Sequence, residues 1–144
     1  KKKKRWKDHK TKKTIELEPR VYNAHWYLVS SYMIKEDYEA AYNAIQEAKE
    51  YGIDWTKKLE NATKILTIYE RVAGKEEAIS FARELLNKYP DNAELWLGIS
   101  IYSYNAGHFE EAKVAAEKAI QLQPEIETEN QELINALLNG NLTN

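Results

Sequence analysis

The chain has 144 residues, 43% of them hydrophobic and 31% charged, with a net charge of −2; this is the composition of a globular domain with a real core, not of a disordered segment. Cysteine is absent, which excludes disulfides and thiolate metal sites. No apolar run approaches the roughly 18 residues a membrane-spanning helix needs, and five Gly and three Pro in a chain rich in Ala, Glu, Leu and Lys favour helices.

In chain order, residues 1–13 (KKKKRWKDHKTKK) come first, with nine Lys or Arg against one Asp, whereas the remainder holds 12 basic and 22 acidic residues, a net of −10. Thr14–Leu17 and Pro19 read as the tail of a helical unit. Residues 1–19 are therefore expected to form a basic segment and a remnant helix. Because the chain begins at Lys1, it is expected to be a fragment of a larger protein whose array continued upstream.

Residues 20–53 read as a helix pair. Leu28, Val29 and Tyr32 mark the first helix, Glu36-Asp37 the turn, and Tyr38, Ala41, Ala44, Ile45 and Ala48 the second, which stops at Gly52. Residues 54–90 repeat this with Ala62, Ile65, Leu66 and Tyr69, a turn at Ala73-Gly74, then Ala78, Ala82 and Leu85 before Pro90. Asp54 is expected to cap a helix starting near Trp55 and running about one turn longer than its siblings. Residues 91–124 give Trp96, Ile99, Ser100 and Ser103, a turn at Gly107, then Phe109, Ala112, Ala116 and Ala119 before Pro124. Asp91 with Glu94 reads as a capping box. Residues 125–144 carry one more apolar stripe, Ile126, Leu133, Ile134, Leu137 and Leu138, ended by Gly140, and are expected to form a single capping helix and tail.

The three pairs are in register. Ala41, Ala78 and Ala112 sit in EDYEAAYNAI, GKEEAISFAR and GHFEEAKVAA at spacings of 37 and 34 residues, and Ile53, Pro90 and Pro124 repeat both steps. A fixed period of this size marks stacked units that cannot bury their apolar faces alone. The pattern resembles the tetratricopeptide repeat (TPR). The third unit matches best, through Trp96, Gly107, Phe109, Ala112, Ala116, Ala119 and Pro124. The first has Glu36 in place of the turn Gly and Ile53 in place of Pro, and the second keeps Tyr69, Ala78, Ala82 and Pro90. The resemblance implies an all-α, right-handed superhelical solenoid of antiparallel helix pairs that serves as a protein-interaction scaffold, with no catalysis and no cofactor.

It also implies a concave groove lined by first helices: Trp26, Ser30 and Met33, then Thr63, Thr67 and Glu70, then Leu97, Ile101 and Tyr104. Family members that clamp a C-terminal carboxylate use a Lys and an Asn one turn apart. Trp26 and Ser30 hold those places here, so an amphipathic helix or extended peptide is the expected ligand instead. Trp26 has a competing reading, packing against Tyr22 and the basic helix.

His9, His25 and His108 show no metal-ligand spacing, and no metal site, small-molecule substrate or nucleic acid is expected. The tripeptides Asn61-Ala-Thr63 and Asn141-Leu-Thr143 match a glycosylation acceptor but recur by chance. The basic segment (Lys1, Lys2, Lys3, Lys4, Arg5, Lys7) leaves an alternative open: docking to an anionic membrane or to nucleic acid. The chain could also be a soluble appendage of a membrane-embedded enzyme. A cytoplasmic location is expected, with a membrane-tethered parent as the other option.

Overall fold

The computed structural model describes residues 2–140, with side chains from Lys10 onward. Among the described residues there are nine helices and no strand. Internal contacts gather into two compact units, divided between Val72 and Ala73. The first holds α1 (Lys2–Leu17), α2 (Tyr22–Ile34), α3 (Tyr38–Glu50) and α4 (Leu59–Val72). The second holds α5 (Lys75–Lys88), α6 (Ala93–Asn105), α7 (Phe109–Leu122), α8 (Glu125–Glu129) and α9 (Gln131–Asn139). The division falls inside the middle repeat, at its Ala73-Gly74 turn.

Small residues decide how these helices pack. On α3, Ala41, Ala44, Ile45 and Ala48 recur at three and four and are all buried. Asp37 starts the helix by accepting the Ala40 N–H at 3.1 Å, satisfying a donor that has no partner inside the helix. At the other end Gly52 turns left-handed (φ 87°), and the Ile53 N–H reaches back to the Ala48 carbonyl at 3.0 Å. The chain reversal carries Ile53 into the core, 9% exposed. Ile53 thus does the work of the repeat's closing Pro by packing. On α7, Ala112, Ala116 and Ala119 are fully buried, which is where bulk would force neighbouring helices apart.

The turn of the first pair has the backbone geometry of the third without its glycine. The Asp37 N–H donates to the Tyr32 carbonyl at 2.9 Å, as the His108 N–H does to that of Ser103 at 2.8 Å. The residue at the left-handed position is Gly107 in one case and Glu36, at φ 58°, in the other. In the middle repeat the left-handed residue is Gly74, one place later in register.

Three local expectations are corrected. The extra residues after Ile53 do not lengthen a helix: α4 begins at Leu59 and has 14 residues, one more than α2. The Asp54 carboxylate instead accepts the Thr56 N–H and hydroxyl, at 2.9 and 2.6 Å, and so holds a turn that drives Trp55 into the core. The cap of α6 is Asn92, not Asp91. The Asn92 side chain accepts the Leu95 N–H at 3.0 Å, placing the cap one residue nearer the apolar face that begins at the buried Ala93. The C-terminal stripe forms two helices, because Asn130 leaves helical geometry (φ −132°, ψ 43°) between α8 and α9. Lys1 and the Asn141-Leu-Thr143 tripeptide lie outside the described residues, and of Lys2, Lys3, Lys4, Arg5 and Lys7 only the backbone, in α1, is described.

Candidate partner-binding surface

Trp26, Ser30 and Met33 lie on α2, and the 37-residue step carries them onto Thr63, Thr67 and Glu70 of α4. The two helices are tied at their first turns: the Asn61 side-chain amide donates to the Tyr22 hydroxyl at 3.1 Å. Beneath that tie sits Trp55, 3% exposed, with its indole N–H on the Ile45 carbonyl at 3.1 Å. Its ring lies 5.2 Å from that of Tyr22 and 6.2 Å, edge-on, from that of Trp26. Trp26 is half-buried on this aromatic cluster. Its ring partner is Trp55, which the sequence pattern placed in a lengthened helix. The signal that could have found it was the insertion itself, since a Trp just after a buried Ile rarely stays in solvent.

Along this strip the hydroxyls are already committed as donors. Ser30 donates to the Trp26 carbonyl at 2.8 Å, Thr63 to that of Glu60 at 2.8 Å, and Thr67 to that of Thr63 at 3.4 Å. A hydroxyl has one proton, so each keeps only its lone pairs for a ligand. Glu70, half-buried, adds a carboxylate. Thr63 and Thr67 are exposed, Met33 half-buried. The hydroxyl and carboxylate groups of the α2 and α4 strip are therefore offered to a ligand as acceptors, beside the indole N–H of Trp26, which can only donate.

In the second unit Leu97, Ile101 and Tyr104 are half-buried on α6. They pack against a cluster formed by Ala93, Ala116, Ala119, Ile126, Ile134 and Leu137, so α7, α8 and α9 contribute to what lies against them. The Tyr104 ring also meets that of Phe109 at 5.2 Å. Phe109 itself is 44% exposed, and it fills less of the space between helices than its position in the repeat suggests.

Two of the histidines, His25 and His108, have partners within the fold. His25, 2% exposed, holds the Pro19 carbonyl with Nε2 at 2.6 Å; a carbonyl only accepts, so Nε2 carries the proton. His108 pairs with Glu76 at the surface, and Arg83 with Glu111. Among the described residues there is no group of three or more His, Asp or Glu able to hold a metal ion. No helix there is long and apolar enough to cross a membrane.

Paired helices in register, small residues at their contacts and left-handed turns define an all-α, TPR-like helical-repeat fold. A solved structure shares it. The crystal structure of MamA, a TPR-like helical protein, matches with a TM-score of 0.67 and 15% identity, over 92% of this chain and 83% of that one. No protein-family profile matches the chain, and no curated protein sequence does.

Proposed function

We propose that the chain is a non-catalytic protein-interaction scaffold that takes a peptide or helix of a partner along the exposed strip of its repeat-opening helices. The observation that carries this reading is the composition of the α2 and α4 strip. It combines a half-buried Trp26 and Met33 with hydroxyls and a carboxylate whose free valences are acceptors. A tryptophan backed by a second aromatic is a rigid anchor of the kind that dominates interface energies. Hydroxyl and carboxylate acceptors on this strip favour a ligand that brings donors, a Lys- or Arg-flanked helix or the free N–H groups of an extended peptide. The fold supports the reading, since TPR-like repeats are a scaffold type. In the second unit, Leu97, Ile101 and Tyr104 are half-buried against a cluster drawn from α6, α7, α8 and α9.

The test is affinity capture from the source organism with four baits: wild type, Trp26→Ala, Thr67→Arg and a form lacking residues 1–13. The reading expects a protein partner retained by the truncated form. Trp26→Ala should weaken its binding by about 2 kcal/mol, and Thr67→Arg should repel it. Capture that vanishes with residues 1–13 and ignores both substitutions would place binding in the basic segment instead.

A further inference from the structure

In the first unit, α1, α2 and α3 wall a pocket of about 430 Å³ that shares no residue with the Trp26 strip. Its floor is the buried Ile15, Leu28 and Ala44, one from each helix. Tyr32 and Ala40 are half-buried, whereas Lys12, Glu16, Asn43 and Glu47 are exposed and form the rim. An apolar base with a few polar groups at its edge is the make-up of a small-ligand site, and such sites start at roughly 300 Å³.

The second unit shows how the same place in the repeat is otherwise closed. The 34- and 37-residue steps taken together carry α1, α2 and α3 onto α5, α6 and α7. Lys12 then falls on Arg83 and Ala40 on Glu111, and Arg83 and Glu111 form an ion pair that ties α5 to α7. Asn43 falls on Val114 and Tyr51 on Leu122. The first unit thus keeps the cation, drops the carboxylate that meets it, and puts an amide and a phenol ring where the second has aliphatic side chains. Helix formation does not explain the missing carboxylate. Ala40 lies three residues after the cap Asp37, where a Glu suits a helix well. Glu16 and Glu47, which fall on Asn87 and Lys118, bring negative charge to the rim one turn from Lys12 and two turns from Ala40 instead.

Charge and shape together select the ligand. Lys12 calls for an anionic group, Glu16 and Glu47 for a cationic one, and the floor for an apolar body. Tyr51, 39% exposed, has its ring set 5.7 Å from that of His25 and offers a fixed aromatic wall. We propose that this pocket binds a small zwitterion of dipeptide size. Its carboxylate pairs with Lys12, its ammonium with Glu16 and Glu47, and its apolar side chains cover Ile15, Leu28 and Ala44. A ligand with one charge satisfies only one sign of the rim. The site is independent of the strip at Trp26, so an experiment that fails here leaves that reading standing.

The probes are the dipeptide Leu-Leu, its N-acetyl form, which lacks the ammonium, and its C-terminal amide, which lacks the carboxylate. Each is titrated into the whole chain and followed by amide chemical shifts. Leu-Leu is expected to bind with a Kd of about 1 mM or tighter and to move the amides of Ile15, Leu28, Ala40 and Ala44. Each blocked form should bind at least about fivefold more weakly. Lys12→Gln should lower Leu-Leu to the level of its amide and leave the amide's own affinity unchanged. Ala40→Glu should supply the missing carboxylate, weaken Leu-Leu about fivefold or more, and keep the unfolding midpoint at or above that of wild type.

Equal affinity for the three probes would overturn the zwitterion in favour of a merely apolar patch. Shifts confined to other helices would overturn the site, as would their absence at about 10 mM Leu-Leu. So would an Ala40→Glu chain that is folded and binds Leu-Leu as tightly as wild type.

Discussion

Ser103 is fully buried on α6, and its hydroxyl has no hydrogen-bond partner among the described residues. Ser100, three residues earlier and equally buried, spends its hydroxyl on the Ala112 carbonyl at 2.5 Å. The two look alike in sequence and differ in energy, because an unpaired buried hydroxyl loses its water without recompense. Ser103→Ala should therefore raise stability by about 1 kcal/mol, read as a higher denaturant midpoint; a lower midpoint would mean that the hydroxyl is satisfied. Glu36 bears a backbone cost instead. At φ 58° its Cβ crowds the following carbonyl, a strain its counterpart Gly107 avoids. Glu36→Gly should gain about 0.5–1 kcal/mol net of the added freedom of the unfolded chain. Glu36→Ala keeps the Cβ and should gain nothing. Equal midpoints for the two variants would show that the turn is not strained.

At the scale of helices, much was legible because one rule repeats. The alanines at Ala41, Ala78 and Ala112 are each completely buried, and the turns fall where Glu36-Asp37, Ala73-Gly74 and Gly107 place them. What could not be read was whatever departs from the period. The insertion at Asp54–Lys58 offers two uses for Asp54, capping a helix or closing a turn on Thr56. Only the burial available to Trp55 decides between them. Likewise Leu97, Ile101 and Tyr104 hold groove positions by register, but the apolar stripe of α8 and α9 had no repeat to say where it would lie. Trp55 provides the check. Trp55→Phe keeps an aromatic ring beside Tyr22 and Trp26 but removes the indole N–H that the Ile45 carbonyl accepts beyond its helical bond, and should cost about 1–2 kcal/mol. Trp55→Ala opens a cavity under both rings and should cost about 3–5 kcal/mol. If the two cost the same, the indole N–H carries the energy and the aromatic cluster little.

For the molecule as a whole, each compact unit owns a core. Ile45, Ile65 and Ile68 are completely buried in the first, and Ile79, Leu85, Ile134 and Leu137 are at most 1% exposed in the second. Repeat proteins hold together through nearest-neighbour interfaces, so damage should stay near its origin instead of melting the chain at once. Leu137 tests this from the far end. It is 1% exposed on α9, in the cluster with Ala116, Ala119, Ile126 and Ile134, and Leu137→Ala should cost about 2–5 kcal/mol. Amide exchange should report the loss first in α7, α8 and α9, and leave α3, whose buried face is Ala41, Ala44, Ile45 and Ala48, close to wild-type protection. The same variant should free Leu97, Ile101 and Tyr104 from part of their cover, so a dye that binds exposed apolar surface should bind more strongly. A uniform fall in protection from α2 to α9 would mean that the chain unfolds as one cooperative body, and damage in the second unit would then be felt in the first as well.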